Sequence, residues 1–263
     1  MTNIHKTAII EKGADIANSA IIGPYCTIGK DVKIGNNSIL KSHIIIEGST
    51  IIGENNLIYP FSTIGTNPQD LKFNNEDSRL IIGNNNTIRE HVTIHKGTKD
   101  GIMETRIGNN CLLMVGVHIA HDCIINNNVI LANNATLAGH VEIQDNVIIG
   151  GLSAIHQFVK IGKGAMIGGM SGIEGDIIPY GLAMGERASL VGLNLVGLKR
   201  SKISKDQINN LRHFFNKLYS DNSISIRDRI LSIGKKYDDN MVNSIIDFIN
   251  NESSRGLLKY KKS

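Results

Sequence analysis

An aliphatic residue recurs at every sixth position through most of this 263-residue chain, and few patterns restrict a fold so tightly. From Ile4 the series runs Ile10, Ile16, Ile22, Ile28, Ile34, Leu40, Ile46, Ile52, Ile58 and Ile64. It holds phase at Ile82, Ile88 and Ile94, slips by one residue, and restarts at Ile107. Leu113, Ile119, Ile125, Leu131, Leu137, Ile143, Ile149, Ile155, Ile161, Ile167 and Ile173 then follow. A helix returns to one face every 3.6 residues and a strand every second residue, so neither explains a period of six. A triangular coil does: three short strands, each turning one aliphatic inward and ending at a tight corner, make a turn of about 18 residues. Such coils stack ~4.8 Å apart through parallel ladders. The composition agrees, with Gly at 27, Pro at only 4 and no Trp, so aliphatics fill the core. Asn recurs in clusters at 36–37, 55–56, 84–86, 126–128 and 133–134. Asn and Gly tolerate the left-handed conformation that tight corners demand.

Two segments interrupt the pattern. Residues 65–81 keep the phase in length but put Asp70 and Glu76 at aliphatic positions, and residues 95–106 break it outright. Both read as loops thrown out from the prism, where function commonly resides. Past about residue 190 helical signals replace the period of six. Ser204-Lys205-Asp206-Gln207 fits a capping box ahead of Ile208, Leu211, Phe215 and Leu218. A shorter helix is expected from about Ser225 to Gly234, and Met241, Val242, Ile245, Phe248 and Ile249 form a third apolar stripe. Lys259 to Ser263 reads as a frayed basic tail. The expected architecture is a β-solenoid over residues 1–190 followed by an α-helical domain over 191–263.

Cys26, Cys111 and Cys123 are an odd number without metal-ligand spacing, which points to a reducing compartment. The N-terminus shows no signal peptide and no stretch approaches a membrane span, so a cytoplasmic protein is expected. A net charge of +4 fits an ordinary solvated surface or an acidic partner; no nucleic acid is expected.

A prism filled by its own aliphatics offers no interior pocket, so ligands must bind outside, under loops or between subunits. Val117-His118-Ile119-Ala120-His121-Asp122-Cys123 is the densest departure from the corner pattern. With Ile119 inward, His118 and His121 face outward, one suited to act as general base and Asp122 to orient it. His140 and then His156-Gln157 follow at roughly one-coil intervals, so the histidines approach one another along the prism. Three stacked histidines also suit a zinc site, but the spacing is not clearly that of a known triad, and no metal is expected.

Longer strings carry a resemblance. Ile119-Ala120-His121-Asp122-Cys123, residues 131–141 (LANNATLAGHV), His156-Gln157-Phe158, Gln69-Asp70-Leu71-Lys72, Ile94-His95-Lys96-Gly97-Thr98, Gly197-Leu198-Lys199-Arg200 and Ser254-Arg255-Gly256-Leu257 resemble the UDP-N-acetylglucosamine acyltransferase family of lipid A biosynthesis. The period of six leaves handedness open; the resemblance implies a left-handed parallel β-helix with a C-terminal α-helical domain. It further implies transfer of a long (R)-3-hydroxyacyl chain from acyl carrier protein to the sugar 3-hydroxyl of UDP-N-acetylglucosamine. His121 matches the general base, Asp122 its partner, and the Gly139 N–H the oxyanion donor. Gln69, Lys72, His118, His140 and Gln157 match residues lining the sugar and acyl sites. His156, Asn194 and Arg200 match the nucleotide-sugar side, where a guanidinium suits a diphosphate. Gly169, with Met166 nearby, matches the gauge of acyl length. Arg187 and Val196 depart from the family, which often has His and an acid there. No cofactor is implied, the carrier thioester being a co-substrate, and a homotrimer is expected. Lys199, Arg200, Lys202 and Lys205 could attract the acidic carrier. The competing expectations are N-acylation of a later UDP-sugar intermediate, an acetyl-CoA-dependent transferase, and a non-enzymatic scaffold; the last predicts a Thr or Ser ladder that is absent.

Overall fold

Most six-residue units fold as a two-residue strand followed by a corner, and three strands close one coil. The computed structural model describes residues 3–220, 224–233, 237, 239–251 and 253–261. Ladders are parallel with an 18-residue step: Asn3 pairs with Ile21, Ile9 with Thr27 and Asp15 with Lys33. The stacked strands form three faces of eleven, nine and eight strands, wound left-handed. The second residue of each two-residue strand points inward. Ile22, Ile28, Leu40, Ile46, Ile58, Leu113 and Leu131 are fully buried, each worth about 1.5–3 kcal/mol in area removed from water. In the first coil Ile4, Ile10 and Ile16 are only half-buried, because their strands are end strands of the three faces.

The Asn clusters divide their work. In Asn84-Asn85-Asn86, the Asn84 side chain accepts from the Glu54 N–H of the coil below (2.7 Å). Asn85 takes the left-handed corner at φ 59°. Asn86 points into the prism, accepting from Cys111 N and donating to Gly108 O. Another corner breaks the Asn/Gly expectation: Tyr25, His43, Phe61 and His91 sit there with φ between 54° and 64°. Their rings stack in series with centroids 4.9, 5.3 and 5.2 Å apart. Stacking of about 0.5–1.5 kcal/mol per pair offsets a strain of similar size at each corner.

The two interruptions are loops, narrower than the sequence suggests. Across the first, Leu57 pairs with Thr87, a step of 30; across the second, Thr87 pairs with Leu112, a step of 25. The excursions are 67–78 and 96–103, because the ladders extend through Thr63–Thr66, Arg79–Ile82, Thr93–His95 and Glu104–Ile107. Within those extensions Leu80 and Thr105 are fully buried. The loops interlock: Lys72 Nζ lies 3.7 Å from Asp100, Lys99 Nζ 3.9 Å from Glu76, and Lys96 Nζ 5.1 Å above the Phe73 ring.

Gly181–Met184 and Ser189–Leu193 end the eleven-stranded face as an antiparallel pair. Among the described residues four helices follow: α1 (Leu195–Arg200), α2 (Lys205–Leu218), α3 (Ile226–Ile233) and α4 (Asn240–Asn250). The capping box forms at Ser204 and Gln207, and Ile208, Leu211, Phe215 and Leu218 are buried. Gly234, the expected end of the short helix, lies outside the described residues. The basic tail is not frayed over Lys259–Lys261. Leu190 N donates to Lys259 O and Lys261 N to Leu190 O, both at 2.9 Å, because the spent edge of the coil offers unpaired backbone groups. Lys262 and Ser263 lie outside the described residues.

Candidate active site

The corner between the nine- and eight-stranded faces gathers most of the chemistry. His118 ends up outward on the strand His118–Ile119, its Nδ1 2.7 Å from Thr93 Oγ1. His121 and Asp122 turn the corner, with Asp122 at φ 58° and its N–H held by Thr105 Oγ1 (2.8 Å). His121 Nδ1 lies 2.8 Å from Asp122 Oδ2. The Asp122 side chain is fully buried, whereas that of His121 keeps 15% exposure. Burial pushes the Asp122 carboxyl upward, yet hydrogen bonds from His121 and Thr98 outweigh it and hold the group below its usual value. Asp122 is therefore a carboxylate acceptor, so His121 donates from Nδ1–H and its Nε2 lone pair is left to accept a proton.

One coil on, Gly139 and His140 stack over this pair. A Cβ at Gly139 would lie 2.6 Å from His121 Cε1 and 2.7 Å from Nε2, so only glycine admits the imidazole. Among the described residues nothing accepts from the Gly139 N–H, which sits beside the base as a ready donor to an oxyanion. His140 meets His121 edge-on at 5.0 Å and stacks on Phe158 at 4.4 Å. Burial is the main cause that lowers the His140 pKa. The ligand atoms of His121, Asp122 and His140 fall within 4.8 Å of one another, a metal-like grouping. Both Asp122 oxygens are already taken by Thr98 N, Thr98 Oγ1, Ile102 N and His121, so a metal would have to displace them.

The first loop reaches the same corner. Asp70 and Asp100 both act electrostatically on His140, and the Lys72–Asp100 pair puts Lys72 beside the second loop, with Gln69 exposed on the first. His156 and Gln157 precede Phe158 there. The sequence reading assigned no role to Arg255, yet its Nε donates to Gln157 O (2.8 Å) and its Nη2 to His156 Nδ1 (2.5 Å). His95 was likewise given none: it is buried, its Nδ1 has no partner among the described residues, and its ring meets His118 edge-on at 4.9 Å.

Four expected residues lie elsewhere, three of them together. Met166, Asn194 and Arg200 line a groove of about 1120 Å³ on the eleven-stranded face, walled by Ile148, Leu182, Leu193 and Met241. Asn194 caps α1, its Oδ1 accepting from Gly197 N and its Nδ2 donating to Gly164 O. Val196 is 61% exposed in the same groove. Gly169 stands beside the corner residue Met170, between the eleven- and nine-stranded faces; a Cβ there would press on Gly151 O at 3.3 Å. Arg187 pairs with Glu174 on the surface (3.4 Å).

A family described as Udp N-acetylglucosamine O-acyltransferase, domain 2, matches residues 176–258, and the bacterial transferase hexapeptide (six repeats) matches 104–139. The chain is 56% identical over 262 residues to the acyl-[acyl-carrier-protein]–UDP-N-acetylglucosamine O-acyltransferase of Rickettsia canadensis (strain McKiel), spanning 99% of each. To that of Rickettsia prowazekii (strain Madrid E) it is 57% identical over 266 aligned residues, again 99% of each. Among solved structures, the UDP-N-acetylglucosamine O-acyltransferase of Moraxella catarrhalis RH4 superposes with a TM-score of 0.93 at 46% identity, covering 98% of this chain and 100% of that one. The Francisella novicida UDP-N-acetylglucosamine acyltransferase does so at 0.93 and 37%, covering 97% and 94%. With relatives this similar along the whole length, and a histidine–aspartate pair set against a free glycine amide, the chain belongs to the acyl-[acyl-carrier-protein]–UDP-N-acetylglucosamine O-acyltransferase family.

Proposed function

We propose that this protein transfers a long (R)-3-hydroxyacyl group from acyl carrier protein to the 3-hydroxyl of UDP-N-acetylglucosamine, opening lipid A biosynthesis. The observation that carries the reading is the His121–Asp122 pair with its Nε2 turned toward Gly139. Nε2 takes the hydroxyl proton as that oxygen attacks the thioester carbon. The carbonyl oxygen gains negative charge and is met by the Gly139 N–H. The C–S bond then breaks, and the departing thiolate receives the proton held by His121. Asp122 stays ionised and stabilises the imidazolium between the two proton transfers. The protein's own residues account for each step, and no cofactor takes part.

Gln69, Lys72, His118, His140 and Gln157 surround the acceptor sugar and the reacting thioester, while His156, Asn194 and Arg200 hold the nucleotide and Met166 and Gly169 bound the acyl chain. Met166, Asn194 and Arg200 occupy a different face from His121, which supports a site shared between two copies. A neighbouring copy in a homotrimer supplies the second set. Basic residues at the end of α1, Lys199 and Arg200, suit an acidic carrier. Among the described residues no helix is long and apolar enough to cross a membrane. The three cysteines are free and buried, which fits the cytoplasm, where we place the reaction.

The test is a transfer assay with UDP-N-acetylglucosamine and 3-hydroxyacyl carrier proteins of graded length, read by mass spectrometry. An O-acylated product that peaks at a long chain is expected. His121→Ala is expected to lose about 10²–10⁴-fold in turnover with the oligomer intact. A well-folded wild-type protein that acylates this sugar from no donor would reject the reading.

A further inference from the structure

We propose that Thr98, on the loop 96–103, is a positioning residue that fixes the base through Asp122; this rests on the reading of His121 as that base. A carboxylate has roughly four lone-pair directions to satisfy, and at Asp122 each is used. Oδ2 accepts from the Thr98 hydroxyl (2.6 Å) and from His121 Nδ1 (2.8 Å). Oδ1 accepts from Ile102 N (3.0 Å), and the Thr98 N–H is shared between the two oxygens at 3.1 and 3.2 Å. Thr98 is itself buried at 2% exposure, so no water substitutes for its hydroxyl without rearrangement.

The loop backbone closes directly on the carboxylate. A Cβ at Gly101 would lie 2.2 Å from Asp122 Cγ, so the residue opposite the acid has to be glycine. The loop is in turn tied to the first excursion through Lys72–Asp100 and Lys99–Glu76. Only one carboxylate orientation meets all these donors, and in it one Oδ2 lone pair is aimed at His121 Nδ1. Without the Thr98 hydroxyl the carboxylate gains a rotation that satisfies its remaining donors, and the imidazole loses the anchor that sets its angle. Thr98 is buried behind Asp122, so its loss is expected in turnover rather than in binding.

The experiment compares full-length wild type, Thr98→Val, Thr98→Ser and His121→Ala for kcat, both KM values and melting temperature, and follows the His121 Nδ1–H by NMR of ¹⁵N-histidine-labelled protein. Thr98→Val is expected to lower kcat by about ten- to a hundredfold with both KM values within about twofold, while Thr98→Ser restores kcat. The downfield Nδ1–H resonance is expected in wild type and Thr98→Ser and lost or shifted in Thr98→Val. If His121→Ala is inactive and Thr98→Val turns over like wild type, the positioning role is overturned. If His121→Ala keeps full turnover, the base assignment has failed instead, and the NMR signal alone decides whether Thr98 orders the pair: an unchanged resonance in Thr98→Val overturns it.

Discussion

His95 shows what burial does to a titrating side chain. Desolvation chiefly, aided by the nearby His118 and His121, lowers its pKa from 6.5 to about 4. In the unfolded chain it takes up a proton as pH falls through 6.5, while in the folded chain it stays neutral until about 4. Protonation therefore favours the unfolded state across that window: stability is full above 6.5 and declines toward 4, by roughly 3 kcal/mol for a gap of this size. Burial lowers His118 in the same direction, and Asp122, held below its usual value, adds a further loss at lower pH. Urea unfolding at pH 7.5 and pH 5 should show a smaller drop for His95→Gln than for wild type; equal drops would contradict the assignment. Gly139→Ala tests the opposite property, the absence of a side chain. Its Cβ must push the His121 ring aside, and a displaced base is expected to cost about 10²-fold in kcat, read in the same transfer assay. His121 and Asp122 were legible in the sequence because they interrupt a regular corner pattern, whereas Gly139, a normal corner residue, followed only from the resemblance. Arg255 was not, because it meets Gln157 from 98 residues away and no local period links them.

The corner is the repeating element whose details the sequence hides. A run of three asparagines announces a tight turn, but not which of them takes positive φ, which caps the coil below and which turns inside. The structure makes Asn86 the inward one, 1% exposed, and leaves Asn84 exposed. Asn86→Ala strands Gly108 O and Cys111 N in the prism, and a cost of about 1–3 kcal/mol is expected for such orphaned groups. Asn84→Ala lets water replace its bond to Glu54, and less than about 1 kcal/mol is expected. Thermal denaturation of the two variants separates them, and equal losses would contradict this division of work. The loops carry the same lesson: a polar residue at an aliphatic position marks where the pattern fails, while the ladder continues until backbone pairing ends. Leu80 thus lies inside the coil although the sequence placed it in a loop.

For the whole molecule, the period of six specified stacked triangular coils but not their handedness, which the aliphatic spacing leaves undetermined. Nor does it say which faces meet in an assembly. The structure puts His121 and Asp122 at the corner of the nine- and eight-stranded faces, and Arg200 in the groove on the eleven-stranded face. If one active site draws on both, each must come from a different copy. Two inactive variants, His121→Ala and Arg200→Ala, should then complement each other. In trimers assembled from equal amounts, a site between neighbours is intact only when the first copy retains His121 and the second retains Arg200. In a ring of three that mixes the two variants, that pairing occurs at one interface of the three, so about a third of wild-type turnover is expected. Each variant alone has none, because each of its interfaces carries the same lesion. Co-expressed chains with two different tags, purified through both, would supply the mixed trimers for the transfer assay. Recovery near a third would place the site between copies. Mixed trimers that stay inactive would place it within one chain, and the groove at Arg200 would then need another occupant.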